Sequence, residues 1–212
     1  MTDIGIAATA EEEFDRQVGT LVAKDYPALA QLTPGKFTEY VEPLRDLLPK
    51  ASTSDDDAIP FVIVVKASLV PTVAAVERFA VRGRTGWTDM HDELSGFAPI
   101  EGVDVPGSAA YLLTDIDTGT ATLNVRPNDA LPMITGLGRT PLTIDEGVAL
   151  VTQFPEILKV RNCFQALASR TDNKRIPSFW ISKGAPRLGW CWAGNPHTWL
   201  GSASAAARYG TG

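Results

Sequence analysis

The residues best suited to chemistry crowd into one stretch: Arg187-Leu188-Gly189-Trp190-Cys191-Trp192-Ala193-Gly194-Asn195-Pro196-His197-Thr198-Trp199. It holds a thiol, an imidazole, a carboxamide, a guanidinium and several indoles. If Arg187 to Ala193 is a strand, Trp190 and Trp192 share one face and Cys191 takes the other, because side chains alternate along a strand. Asn195-Pro196 then turns the chain and returns His197 toward the end of the sheet where Cys191 lies. A cysteine deprotonated by a histidine, with an asparagine to orient the base or hold an oxyanion, makes a thiolate nucleophile. On that reading Cys191 is the nucleophile or redox centre, His197 the base and Asn195 the orienting group. Papain-like sites assemble from distant positions rather than from neighbours in sequence, so a second reading stands beside the first. In it, Cys191 is a small buried hydrophobe, the tryptophans are core, and His197 is a turn residue. A third reading makes Trp190, Trp192 and Trp199 the walls of a pocket for an anionic or planar organic ligand, with Arg187 as counter-charge.

Elsewhere the signals are thinner. Arg82-Gly83-Arg84-Thr85-Gly86 is a Gly-containing loop basic enough to attract phosphate, which makes Arg82 and Arg84 candidate ligand-binding residues, although no complete phosphate-loop pattern is present. Asp115-Ile116-Asp117-Thr118-Gly119 contains the Asp-Thr-Gly of aspartic proteases, but the same residues are ordinary turn chemistry. Asp89-Met90-His91-Asp92-Glu93 is donor-rich without metal-ligand spacing. The chain has two Cys and two His, too few for a tetrahedral site unless all converge, so no metal site is assigned and the cofactor is left open.

Charge singles out the same end of the chain. The net charge is −6, yet residues 151–212 carry 2 acids against 8 bases, and four of the five tryptophans fall in that third. An acidic chain is a poor general partner for nucleic acid or anionic membrane. The basic third instead suits a small ligand, an acidic partner, or the protein's own acidic residues 1–60 within one chain or across a homo-oligomer.

The runs Gly138-Arg139-Thr140-Pro141-Leu142-Thr143-Ile144-Asp145-Glu146-Gly147 and Gly189-Trp190-Cys191-Trp192-Ala193-Gly194-Asn195-Pro196-His197-Thr198-Trp199-Leu200-Gly201 resemble an uncharacterised bacterial protein family of unknown function, of actinomycete type. Ala110-Tyr111-Leu112-Leu113 with Asp115 to Gly119 belongs to the same pattern, so the resemblance covers most of residues 60–205. It implies no activity and transfers no catalytic residue.

The elements that must position these residues follow from periodicity and caps. Thr9-Ala10-Glu11-Glu12 is a capping box opening a helix to about Lys24. Thr33-Pro34 opens a second, with Phe37, Val41, Leu44 and Leu48 on one face despite Pro43. This helical pair, residues 1–55, either packs on one face of the domain or forms an appendage, with Ala51 to Ala58 as the boundary and 56–212 as an α+β domain. Phe61 to Val65 reads as a strand buried on both faces at the centre of the sheet. Ala110 to Asp115 and Thr120 to Val125 read as a hairpin, and Pro71 to Val81 as either helix or strand. Thr143 to Glu146 is a second capping box, its helix restarting at Pro155 and running to about Ser169. Ser178 to Ser182 and Arg187 to Ala193 form a final hairpin through Lys183-Gly184-Ala185-Pro186. The architecture expected is α+β, with a mostly antiparallel sheet and packed helices.

No leader peptide or apolar run of about 20 residues is visible, so the expectation is a cytoplasmic protein with free thiols. The leading function is small-molecule binding at a Trp/Cys/His-lined site in the C-terminal third, with turnover by Cys191 as its catalytic version. The alternative is a non-catalytic interaction module whose basic third docks an acidic partner or protomer.

Overall fold

A computed structural model of the chain describes residues 5–50 and 58–211. Its helices are α1 (Ala10–Ala23), α2 (Tyr26–Leu29), α3 (Pro34–Val41), α4 (Thr72–Val76), α5 (Pro127–Gly136) and α6 (Ile144–Gln153). The first strands are β1 (Ile59–Val65), β2 (Ala80–Val81), β3 (Arg84–Thr85), β4 (Trp87–Thr88), β5 (Ala98–Pro99), β6 (Ala110–Ile116) and β7 (Thr140–Pro141). After them come β8 (Cys163–Gln165), β9 (Ser169–Arg170), β10 (Arg175–Ser182), β11 (Ala185–Trp192), β12 (Leu200–Ser202), β13 (Ser204–Ala205) and β14 (Ala207–Gly210).

Both capping boxes form. Thr9 accepts from the Glu12 N–H while Glu12 accepts from the Thr9 N–H, and Thr143 and Glu146 do the same at α6, satisfying amides that a helix start leaves without partners. Thr33 caps α3, but the α-helix stops at Val41 and tightens into 3-10 turns over Glu42–Leu47. Pro43 causes this, since it has no N–H for the Glu39 carbonyl and its ring crowds that oxygen. Phe37, Val41 and Leu44 are buried nonetheless. With α2 between them, the expected pair is three segments, and the linker at Asp55-Asp56-Asp57 lies outside the described residues.

β1 is buried on both faces, yet it stands at an edge and not at the centre, because β6 pairs with β1 on one side and with β14 on the other. The Gln17 amide covers the open edge of β1: it donates to the Phe61 carbonyl at 2.9 Å and accepts from the Ile63 N–H at 2.8 Å. One side chain thus replaces a ladder partner. The hairpin expected from Ala110 to Val125 does not form. Asp117 Oδ1 accepts from the Gly119 N–H at 2.7 Å, Gly119 takes φ +86°, and the chain enters 3-10 turns at Thr120–Thr122 instead of doubling back. The helix expected through Pro155 ends at Gln153. Phe154, held out of the helical conformation by the proline that follows it, breaks it, and Cys163 to Gln165 becomes a strand. Pro71 to Val81 resolves into α4 followed by β2.

The C-terminal hairpin forms and runs longer than expected, its connection only Lys183-Gly184 because Ala185 and Pro186 join β11. Lys183 and Gly184 have φ of +52° and +78°, the paired left-handed conformation whose twist matches that of the flanking strands. β10 and β11 pair antiparallel in a sheet ordered β12-β8-β10-β11-β4. The fold is α+β, dominated by antiparallel pairing. α1, β1, β6, α6 and the buried residues of β8 and β10 share one core. Among the described residues no helix is long and apolar enough to cross a membrane, and both cysteines are free.

Candidate functional site

The register of the hairpin decides which side chains meet. Arg187 lies opposite Trp180 in β10 and beside Trp87 in β4. Its guanidinium carbon sits 4.8 Å from the Trp180 ring centre and 4.5 Å from that of Trp87, and Nη2 donates to both Asp89 oxygens at 2.7 Å. Arg175 repeats the arrangement on the opposite face. It lies 4.1 Å from Trp190 and 5.6 Å from Trp192, and its Nη1 donates to Glu93 Oε1 at 2.6 Å. Trp190 and Trp192 share a face as the alternation predicts, with ring centres 4.9 Å apart in an edge-to-face contact. Each arginine is therefore stacked on indole and tied to a carboxylate from residues 89–93.

β4 pairs with β11 only at Arg187 and Leu188, and the chain then leaves the sheet. The space it opens is a cavity of about 280 Å³ lined by Asp89, Met90, Glu93, Trp180, Arg187 and Trp190. Trp180 reaches across β11 because residue 189 is glycine: a Cβ there would sit 2.1 Å from the indole. The Arg187 guanidinium holds the Asp89 carboxyl below the usual carboxylate range. Glu93 Oε2 has no hydrogen-bond partner among the described residues. A second hollow of about 480 Å³, beside Tyr40, Leu44, Gly107, Ser108, Ala110 and Thr211, has no charged side chain in its lining.

The other sequence-predicted residues scatter around this cavity. Cys191 is half-buried on the Trp180 face, near Ser178 and Arg187, and burial raises its thiol pKa. His197 packs its ring 5.4 Å from that of Trp199, its carbonyl accepts from the Asn124 N–H at 2.8 Å, and partial burial lowers its pKa. No hydrogen bond among the described residues joins Cys191 to His197, and exposed Asn195 contributes only its backbone N–H to Trp192. Trp199 makes an edge contact with Trp180 at 6.0 Å. Arg82 and Arg84 lie at the β2–β3 turn, exposed and away from the cavity lining.

Sequence reasoning missed Asp89, Glu93, Arg175 and Trp180 as site residues. The donor-rich run Asp89 to Glu93 was the available signal; its carboxylates serve arginines. Three bases of the positive third find acids in the middle of the chain, Arg187 on Asp89, Arg175 on Glu93 and Arg208 on Glu146.

A family described as a family of unknown function (DUF5701) matches residues 20–211. No curated protein and no solved structure matches the chain. The chain belongs to this family of unknown function.

Proposed function

For a chain whose family carries no assigned chemistry, we propose that it binds a small planar organic molecule in the cavity between β11 and residues 89–93. The observation that supports this most is the lining, where two indoles, a stacked guanidinium and two carboxylates converge on about 280 Å³, a volume just under that of usual ligand pockets and suited to a small ring. The carboxylates set the ligand's character. Arg187 spends its charge on Asp89, so an anion gains little here, whereas Glu93 Oε2 is open to a donor. A flat ring bearing an amino or amidine group matches both the indole edges and the open oxygen. We place the protein in the cytoplasm of an actinomycete-type bacterium on the strength of its two free thiols and the family resemblance.

Tryptophan fluorescence of the purified chain, titrated with benzamidine and other planar aromatic amines, tests the reading, with benzoate as the anionic counterpart. Saturable quenching by the amines that disappears in Trp190→Ala and weakens in Glu93→Gln is expected. Silence across the panel, or equal response to benzoate, would overturn it.

A further inference from the structure

Two hairpin turns meet near Trp87, whose ring also lies against Arg187 of the cavity lining. The β2–β3 turn carries Arg82-Gly83 with φ of +50° and +74°, and the β10–β11 turn carries Lys183-Gly184 with φ of +52° and +78°. They touch: Arg84 Nε lies 3.3 Å from where a Cβ on Gly184 would be, so its guanidinium rests on the second turn beside Lys183. Lys183 Nζ in turn sits 5.6 Å from the Trp87 ring centre. Arg82, Arg84 and Lys183 are all exposed, and none has an ion pair or a side-chain hydrogen bond among the described residues.

Other described bases, Lys159, Arg161 and Lys174 among them, also have no ion pair; these three differ in lying on two touching turns. In this acidic chain Arg45 meets three carboxylates, and Arg139, Arg175 and Arg187 each meet one. Asp89, the carboxylate closest in sequence to Trp87, already gives both oxygens to Arg187. Holding several cations together without an acid costs electrostatic energy, and a bound anion recovers it. A monocarboxylate needs one cation. Arg84 against the Lys183-Gly184 turn, with Arg82 in the neighbouring turn, offers two guanidinium forks and an ammonium to the several oxygens and multiple charge of a phosphoryl group.

We propose that Arg82, Arg84 and Lys183 form a binding site for a phosphomonoester or polyphosphate group, separate from the cavity. Calorimetric titration of the full chain with inorganic tripolyphosphate tests it, repeated at low and physiological salt. Saturable binding that weakens with salt is expected. Arg84→Gln and Lys183→Gln should each weaken it about tenfold, the size of one lost charge-assisted hydrogen bond. Trp190→Ala should leave it unchanged, and the Arg82→Gln/Arg84→Gln/Lys183→Gln triple variant should still bind benzamidine, so this site and the cavity fail or stand separately. Vesicles of phosphatidylcholine doped with a phosphoinositide form a second arm. Capture by vesicles with no binding of free tripolyphosphate assigns the phosphate to a lipid headgroup; the reverse assigns it to a soluble ligand. The site is overturned if neither arm shows saturable binding, if the triple variant binds like the parent, or if citrate binds as tightly as tripolyphosphate.

Discussion

Arg208 and Arg187 each give a guanidinium to a carboxylate, one inside the protein and one at its surface. The Arg208 side chain is 6 % exposed and Glu146 0 %; those of Arg187 and Asp89 are 24 % and 60 %. Inside, the polar atoms are accounted for. Arg208 donates through Nε and Nη2 to Glu146, through Nη1 to Thr140 and through Nη2 to the Pro141 carbonyl, while Glu146 also accepts from Tyr111 Oη and the Thr143 N–H. Burial and the nearby Glu146 charge push the Tyr111 hydroxyl pKa well up. This cluster fastens β14 to the start of α6. At the surface the accounting is looser: Nε of Arg187 and of Arg175 is buried without a hydrogen-bond partner, and aromatic stacking occupies the faces of both guanidinium groups. The same ion pair is a fastener where nothing else can satisfy its charges and a wall of a binding cavity where water or a ligand can.

Breaking the buried cluster gives the largest effect. Arg208→Ala strands the Glu146 carboxylate and should cost about 3–5 kcal/mol in urea unfolding. Gly189→Ala comes next. Its methyl drives into Trp180, so a loss of about 1–3 kcal/mol is expected, together with weaker quenching by amine ligands.

Asp145 sharpens the contrast through pH. Burial pushes its carboxyl up to about 6, so in this range the folded state holds a proton that the unfolded state has released. Stability from this group is present below about pH 4 and lost as pH rises through 6. Asp145→Asn should therefore raise stability at pH 7 by about 1–2 kcal/mol and change little at pH 4. Asp89 has the opposite sign, since its pKa is lowered, and its contribution is lost only as pH falls below the usual carboxylate range. Being exposed, the Arg187–Asp89 pair should contribute less than ~1 kcal/mol, read as a small shift for Asp89→Asn that vanishes at high salt.

Much of the local structure was legible in the chain. Both capping boxes, the burial of β1 and the C-terminal hairpin follow from contacts within a few residues, where side-chain type and spacing act directly on the backbone. Pro43 and Pro155 were visible too, but their weight was misjudged: the first tightened a helix and the second ended one. The edge position of β1 was not legible, because Gln17 caps it from 46 residues before Ile63 and nothing local distinguishes that glutamine from a solvated one. The cavity was half legible. Trp190 and Arg187 stood out by type, while Asp89 and Glu93 belonged to a donor-rich run without metal-ligand spacing.

The sequence alone determined the caps, the existence of the C-terminal hairpin, the alternation that puts Trp190 and Trp192 on one face, and the concentration of positive charge in the last third. Tertiary structure decided which acids meet those bases. It paired Arg187 and Arg175 with Asp89 and Glu93 from β4 and its exit, buried Arg208 against Glu146, and left Arg82, Arg84 and Lys183 on two touching turns with no ion pair among the described residues. Charge attraction has no sequence register; only the folded backbone, by fixing which strand edges lie side by side, determines which cations are neutralised and which remain free to bind.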